Sequence, residues 1–403
     1  MEKKNQIPKY PPLRFPEFTD EWKEVKLGEV LSFEVGYPFS SDAFNEEGNG
    51  VRLIKNRDLK ADDRVVFYGG EYDAQYIVQN GDILIGMDGD FSPCLWKKGK
   101  ALLNQRVGRV NANQNTSRVF ILYVLVDSLK KIEHKTSSTT VKHLSHKDVE
   151  KIKASLPSLA EQKKIAALLS LIDERIEVQN AIIKEQEVLK ASLLRRLFDR
   201  TLRFPEFTDE WKEVKLGEIG KMYNGLSGKK AADFGAGYPF ITYKMVFDSG
   251  VIDMSKVSYV EIGPGEKQNK VREGDIFFTT SSETIDEVGM SSVLLRDADN
   301  LFLNSFCFGY RLNTPNLTTS QYLGYMLRGP QMRMRISSLG QGITRFNISK
   351  EKVADLQIAV PSLPEQRKIA ALLSAVDERL AVERAYAEQL KQQKAYLLRQ
   401  MFI

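Results

Sequence analysis

The chain has 403 residues, of which 42% are hydrophobic and 28% charged, with a net charge of +5. That length supports two to three domains with sizeable cores. No run approaches the roughly 18 apolar residues of a membrane span, and the first residues lack the apolar core of a secretory signal, so a cytoplasmic location is expected. The mild positive charge permits nucleic-acid binding without requiring it.

Residues 1–12 are polar and proline-rich and are expected to be disordered. Leu13–Glu29 (LRFPEFTDEWKEVKLGE) returns identically as Leu202–Glu218. A second repeat follows each globule: 16 of the 24 positions from Leu156 to Gln179 equal those from Val360 to Glu383. The chain is therefore a tandem duplication, and the repeat has to be read before any single element.

After the first anchor, Leu27–Leu31 reads as a short helix or turn. Residues 31–155 then show short apolar runs bounded by Gly, Asp and Asn, such as VRLIKNRDL and YIVQNGDILIGM, the pattern of strands and turns. Phe120–Leu129 is apolar enough for a buried helix, Thr136–Asp148 reads as a polar loop, and Val149–Leu156 as a strand ending at Pro157. Ser158 or the residue after it can then cap a helix, with Glu161 placed for a capping box. No Pro or Gly interrupts that helix before about Phe198, which allows a rod of roughly 60 Å.

The second half repeats the plan. Lys270–Thr280 corresponds to Ile77–Met87, Leu303-Asn304 to Leu103-Asn104, and Gly342–Ile348 to Ser138–Leu144. The expected divisions are 13–156 and 201–360 for the globules, and 157–200 and 361–403 for the long helices. Apolar residues at heptad spacing form a seam on each rod: Ile165, Leu169, Ile172 and Ile176 on the first, Ile369, Leu373, Val376 and Leu380 on the second. A seam this long needs a partner along its length, and the other copy is the nearest one. The expected fold is α+β: two pseudo-symmetric mixed α/β globules separated by two long helices that pair as an antiparallel coiled coil, with parallel pairing as the alternative. Polar positions interrupt the seam at Gln179/Glu383 and Lys190/Lys394.

Catalytic signatures do not emerge. Gly225–Lys230 lacks the spacing and hydroxyl of a phosphate-binding loop. Phe234–Gly237 has no strand-loop-helix context and reads as a turn. No Asn/Asp-Pro-Pro-Tyr/Phe tetrad of an amino-group methyltransferase occurs. His143 and His146 have no companion cluster for a metal, and Cys94 and Cys307, one per half, read as small buried thiols.

Binding chemistry is what remains. Basic residues such as Arg52, Arg106, Arg109 and Arg311 are scattered over both globules, and Lys and Arg neutralise phosphates while Arg, Asn and Gln read base edges. The loops just before each rod occupy equivalent places and mix hydroxyls with basic and amide groups: Thr139, Thr140, Lys142 and His143 in the first copy, Thr344, Arg345 and Asn347 in the second. Lys55, Asn56 and Arg57, with Tyr243 and Lys244, and the loops after the two GDI strands, with Asp88, Ser281 and Ser282, complete the candidate DNA-binding set.

The duplicated P-x-L-x-E-Q-x-K-I-A helices, the two GDI strands and the two LRFPEF segments together resemble the DNA-specificity subunit of type I restriction-modification systems, over essentially the whole chain. The resemblance implies that each globule is a target recognition domain reading one half of a bipartite, asymmetric site on double-stranded DNA. The paired helices would set the half-site spacing. It also implies two modification subunits carrying S-adenosylmethionine that methylate adenine, and motor-nuclease subunits using ATP and Mg, with no cofactor or metal in this chain. A stand-alone DNA enzyme and a scaffold that never touches DNA are the competing classes.

Overall fold

The structure, a computed structural model, describes residues 10–135, 143–296 and 299–403. The chain divides into two compact units: Met1–Gln179 with Tyr386–Ile403, and Asn180–Ala385. Both divisions fall inside a long helix, because one helix spans Leu159–Phe198 and the other Leu363–Gln400.

Each unit is built on a four-stranded antiparallel sheet. In the first unit the strand order is Leu31–Val35, Val107–Ala112, Ile83–Gly86, Pro93–Leu95. In the second it is Gly220–Asn224, Cys307–Leu312, Ile276–Thr279, Ser291–Val293. The two GDI segments feed the same central strand, buried along its whole length in both copies. Such a strand must be apolar on both faces, which is why ILIG and IFFT do not alternate. A second sheet joins each: five strands between Phe44 and Leu103, and three formed by Phe234–Ile241, Ser258–Val260 and Phe302–Leu303.

The identical anchors close each globule. Lys23–Lys26 pairs antiparallel with Lys153–Leu156, and Lys212–Lys215 with Gln357–Val360. Between the anchor strand and the sheet, Leu27–Glu29 forms a single 3-10 turn and Leu216–Ile219 a short helix. Arg118–Lys135 is a helix whose Phe120, Ile121, Leu125 and Leu129 are fully buried.

Two local expectations need correction. The strand expected over Val149–Leu156 begins only at Lys153, because Ser145 and Asp148 form a reciprocal capping box that starts a short helix at His146. The Phe234–Gly237 segment is a bulged strand rather than a turn, with Gly235 and Gly237 at φ of 116° and 95° where the register shifts.

The long helices pair antiparallel inside each unit. In the first unit Asp173 meets Lys394 at 2.5 Å and Arg175 donates to the Tyr386 hydroxyl at 2.7 Å. In the second, Lys190 meets Asp377 at 2.5 Å and Arg384 donates to Glu187 at 2.6 Å. Residue numbers rise on one helix as they fall on the other, which settles the direction. Ile165 and Leu169 are buried in a core with Phe120, Val124 and Met401, and Ile369 and Leu373 in a core with Tyr322, Leu323 and Leu197. Ile172 and Leu380 are buried, while Ile176 and Val376 are half-buried. The outer thirds of the seams thus serve a joint helix-globule core as much as helix pairing.

The repeated helix motif clamps each globule to its rod. Ser158 Oγ accepts from the Glu161 amide, giving half of the expected capping box. The Glu161 carboxylate does not return to the cap; it is buried and taken by Arg14 and by Trp22 Nε1. Gln162 caps the Arg118–Lys135 helix by accepting from Ser117 N at 2.9 Å, and Gln366 accepts from Thr319 N at 3.0 Å. No helix of the described residues is long and apolar enough to cross a membrane.

Candidate nucleic-acid interface

The end of the buried central strand positions the site in each unit. In the first, Met87 N donates to Arg106 O at 3.0 Å, and Leu144 N donates to Met87 O at 2.8 Å. One backbone residue is thus pinned from both sides, and its neighbours are aimed together. Asp88 and His143 form an isolated antiparallel bridge, with His143 Nδ1 at 2.9 Å from Asp88 Oδ1. Arg106 Nη1 lies 3.4 Å from Asp88 Oδ2, a loose pairing for a side chain 57% exposed. Asn56 Nδ2 donates to Asp88 O at 2.7 Å. That close approach requires Gly86, where a Cβ would lie 1.9 Å from Asn56 Oδ1.

The second unit repeats the backbone with different side chains. Thr280 N donates to Phe306 O at 3.0 Å, and Ile348 N to Thr280 O at 2.9 Å. Ser281 pairs with Asn347 and Ser282 with Phe346. Tyr243 Oη donates to Ser281 O at 2.7 Å, the same carbonyl position that Asn56 serves in the first unit. Burial raises the Tyr243 phenol above its ordinary range, so it remains a donor.

The pre-rod loop of the second unit is a closed hairpin. Gln341 and Asn347 exchange both backbone hydrogen bonds, at 2.9 and 2.8 Å. Gly342 turns at φ 139°, where a Cβ would lie 2.0 Å from Arg345 O, so only glycine fits. The tip carries Ile343, 94% exposed, with Thr344 and Arg345 also exposed.

The expected residues divide by what they touch. Asn56, Asp88 and His143 converge, as do Tyr243, Ser281 and Asn347. Thr139, Thr140 and Lys142 lie outside the described residues. Lys55 sits over the Phe44 ring at 4.7 Å, Arg57 is exposed beside Asp58, and Lys244 is exposed with Asp248 at 2.8 Å. Ser281 and Ser282 are buried, and Ser282 Oγ accepts from Thr284 N at 3.3 Å, so this pair supplies a strand rather than exposed hydroxyls.

Several of the scattered arginines are structural. Arg52 pairs with Asp62 and lies 5.1 Å over Trp96. Arg109 joins Glu34 to the Ile77 carbonyl, and Arg311 makes two bonds to buried Asp275 at 2.8 and 2.6 Å. Burial with a carboxylate is the arrangement that removes an arginine from phosphate binding.

Phe306 was not anticipated. It is 58% exposed in the backbone position that Arg106 holds in the first unit. The signal lay in the matched Leu103-Asn104 and Leu303-Asn304 pairs, each two residues upstream. Among the described residues, no group of three or more His, Cys, Asp or Glu is placed to hold a metal ion. What the two clusters offer is a rigid backbone presenting donors, acceptors and, in the second copy, apolar surface.

Comparison with known proteins places this geometry. Residues 19–187 and 208–392 each match the type I restriction modification DNA specificity domain. The EcoBI specificity subunit of Escherichia coli is 27% identical over 379 residues, covering 87% of this chain and 78% of that one. The MjaVIII specificity subunit of Methanocaldococcus jannaschii is 23% identical over 420 residues, covering 96% and 92%. The fold is similar to the crystal structure of a type I restriction-modification S subunit from M. genitalium, with a TM-score of 0.63 at 16% identity over 98% of this chain and 99% of that one. Two copies of one domain spanning most of its length show that the chain belongs to the type I restriction-modification DNA specificity family.

Proposed function

We propose that the chain is the sequence-reading subunit of a type I restriction-modification assembly, in which each globule, 13–156 and 201–360, is a target recognition domain for one half of a bipartite, asymmetric DNA site. The carrying observation is that both units pin the same three loops with the same backbone bonds and fill them with different side chains, Asp88, Arg106 and His143 against Ser281, Phe306 and Asn347, while a fourth segment braces the first loop through Asn56 in one unit and Tyr243 in the other. A shared frame with unlike side chains is what two different half-sites demand.

The long helices, within 157–200 and 361–403, set the separation of the half-sites and dock two modification subunits. Supporting this, Leu171 and Val178 on the first helix and Val382 on the second stay about 60% exposed. S-adenosylmethionine would be held by the modification subunits, and ATP with Mg by motor-nuclease subunits, all in the cytoplasm. The chain alone would neither methylate nor cleave.

The test is to purify the chain alone and with its modification partner, and incubate each with duplex DNA, S-adenosylmethionine and Mg. Only the assembly should methylate adenine, at a two-part site, with affinity falling steeply as salt rises. Methylation or cleavage by the chain alone would contradict the proposal.

A further inference from the structure

Arg106 and Phe306 occupy one backbone position in the two copies. Each carbonyl is held by the residue just after the central strand, Met87 or Thr280, at 3.0 Å in both. Thr280 adds its hydroxyl to Phe306 O at 2.7 Å, so this backbone is fixed twice. Both side chains are more than half exposed, at 57% and 58%. A single exposed Phe is ordinary, but this ring stands on a backbone held at both its amide and its carbonyl and shares its groove with exposed Phe234 and Tyr259, and an exposed aromatic cluster is the informative case.

The surroundings suit a nucleic acid. Phe306 lines an open groove of about 830 Å³ with Lys230, Phe234, Tyr259 and Asn304. Lys230 is exposed, whereas the neighbouring Lys229 is largely covered and paired with Glu266 at 2.5 Å. Aromatic surface beside an exposed cation meets base edges and phosphates together. The hairpin tip with exposed Ile343 and Arg345 is tied to the same strand end through Ile348 N and Thr280 O. In the first copy the equivalent space holds Arg106, pre-aimed by Asp88 but not saturated by it.

We propose that the Arg106/Phe306 position is the specificity switch between the two halves: Arg106 donates to the N7/O6 edge of a guanine in one half-site, and Phe306 packs against the 5-methyl group of a thymine in the other. The pairing follows major-groove chemistry, where Arg is the donor fork for guanine and an apolar side chain is the partner of the thymine methyl. The assignment rests on the reading of these loops as the DNA interface.

The test uses the full chain assembled with its modification partner and a duplex bearing the mapped site. Deoxyuridine is substituted for thymine, one position at a time, to remove the methyl group. 7-Deazaguanine is substituted for guanine to remove N7. For the unaltered chain, one deoxyuridine in one half-site should weaken binding roughly tenfold, and one 7-deazaguanine in the other half-site similarly. Phe306→Ala should lose the deoxyuridine effect and keep the deazaguanine effect, Arg106→Ala the converse, and Phe306→Leu should retain part of the methyl preference. If Phe306→Ala remains as sensitive to deoxyuridine as the unaltered chain, the assignment is overturned. A failure of Phe306→Ala to assemble with the modification partner, with its melting temperature unchanged, would also overturn it, by making the phenyl ring a protein contact. The underlying reading has its own control: His143→Ala and Asn347→Ala should each weaken DNA binding, and if neither does, the loops are not the interface at all.

Discussion

Arg14 grips Glu161 with two hydrogen bonds, Nε to Oε1 and Nη2 to Oε2, both at 2.7 Å, across 147 residues of chain. Arg203 repeats the grip on Glu365 at 2.8 and 2.9 Å. Around each pair, Lys164 meets Glu17 over the Phe15 ring, and Lys368 meets Glu206 over the Phe204 ring. The two most repetitive segments of the sequence, LRFPEF and the EQxK helix start, are therefore the two faces of one joint. Their identity between copies is explained by internal attachment of helix to globule.

Because Glu161 and Glu365 are at most 1% exposed, removing either carboxylate leaves an arginine facing a buried neutral group. Glu365→Gln should lower stability by about 3 kcal/mol, as for other broken buried pairs. Chemical denaturation of the chain and of the Arg203→Met/Glu365→Leu double variant checks this. The double variant should recover most of the loss, and equal losses in both would show that the charges are not what binds the joint.

Lys190 and Lys394 interrupt the apolar seams, and each reaches an aspartate on the opposite helix at 2.5 Å. Those aspartates also accept from Tyr325 at 2.9 Å and Tyr123 at 2.8 Å. Lys190 thus ties the first helix, and Lys394 the second, into the hydrogen-bond network that a globule makes with the opposite helix, which fixes register. A double-mutant cycle on Lys190 and Asp377 should show a coupling of roughly 0.5–1 kcal/mol for this partly exposed pair. No coupling would leave register to the apolar positions alone.

The long helices were legible because their signal is local and continuous: no Pro or Gly beyond the first turn, where Pro364 is tolerated, a heptad seam, and a marked start. The central strand was legible for the same reason, since a Gly-Asp turn, Gly81-Asp82 or Gly274-Asp275, precedes a short apolar run in each copy. The joint between Arg14 and Glu161 was not, because nothing local marks a pairing 147 residues apart. The pre-rod loops were legible by position, and the structure brings His143 to Asp88 and Asn347 to Ser281. Arg52, Arg109 and Arg311 show the opposite failure: composition offers them as DNA contacts, and burial beside Asp62, Glu34 and Asp275 removes them. Phe306 was passed over because an exposed aromatic is indistinguishable from a core one until its backbone is placed.

Burial pushes the Cys94 thiol up to about 11 and raises the buried Cys307 thiol further. At pH 8 the native Cys94 thiolate is then roughly one part in a thousand, and thiolate is the reactive form. Alkylation at pH 8 followed by mass spectrometry should leave both cysteines unmodified in the folded chain and label both after denaturation. Rapid native labelling of Cys307 would contradict its placement in the core.

Removing seven residues from the middle of each long helix keeps the heptad phase and shortens each by about 10 Å. That length corresponds to roughly three base pairs. The assembled complex should then methylate sites whose half-sites are separated by a shorter spacer, with both half-sites themselves unchanged. Methylation of the original spacer only would show that the helices do not set the distance.

The central claim is that two interchangeable readers share one frame, and exchange of one reader tests it most directly. Residues 219–355 are replaced by the corresponding globule of another member of the family, leaving the anchors and both long helices intact, and methylated adenines are mapped across the genome of cells carrying the assembly. The expected result is a methylated site with one half altered and the other half and the spacer retained. A site changed in both halves, or in neither, would contradict the account.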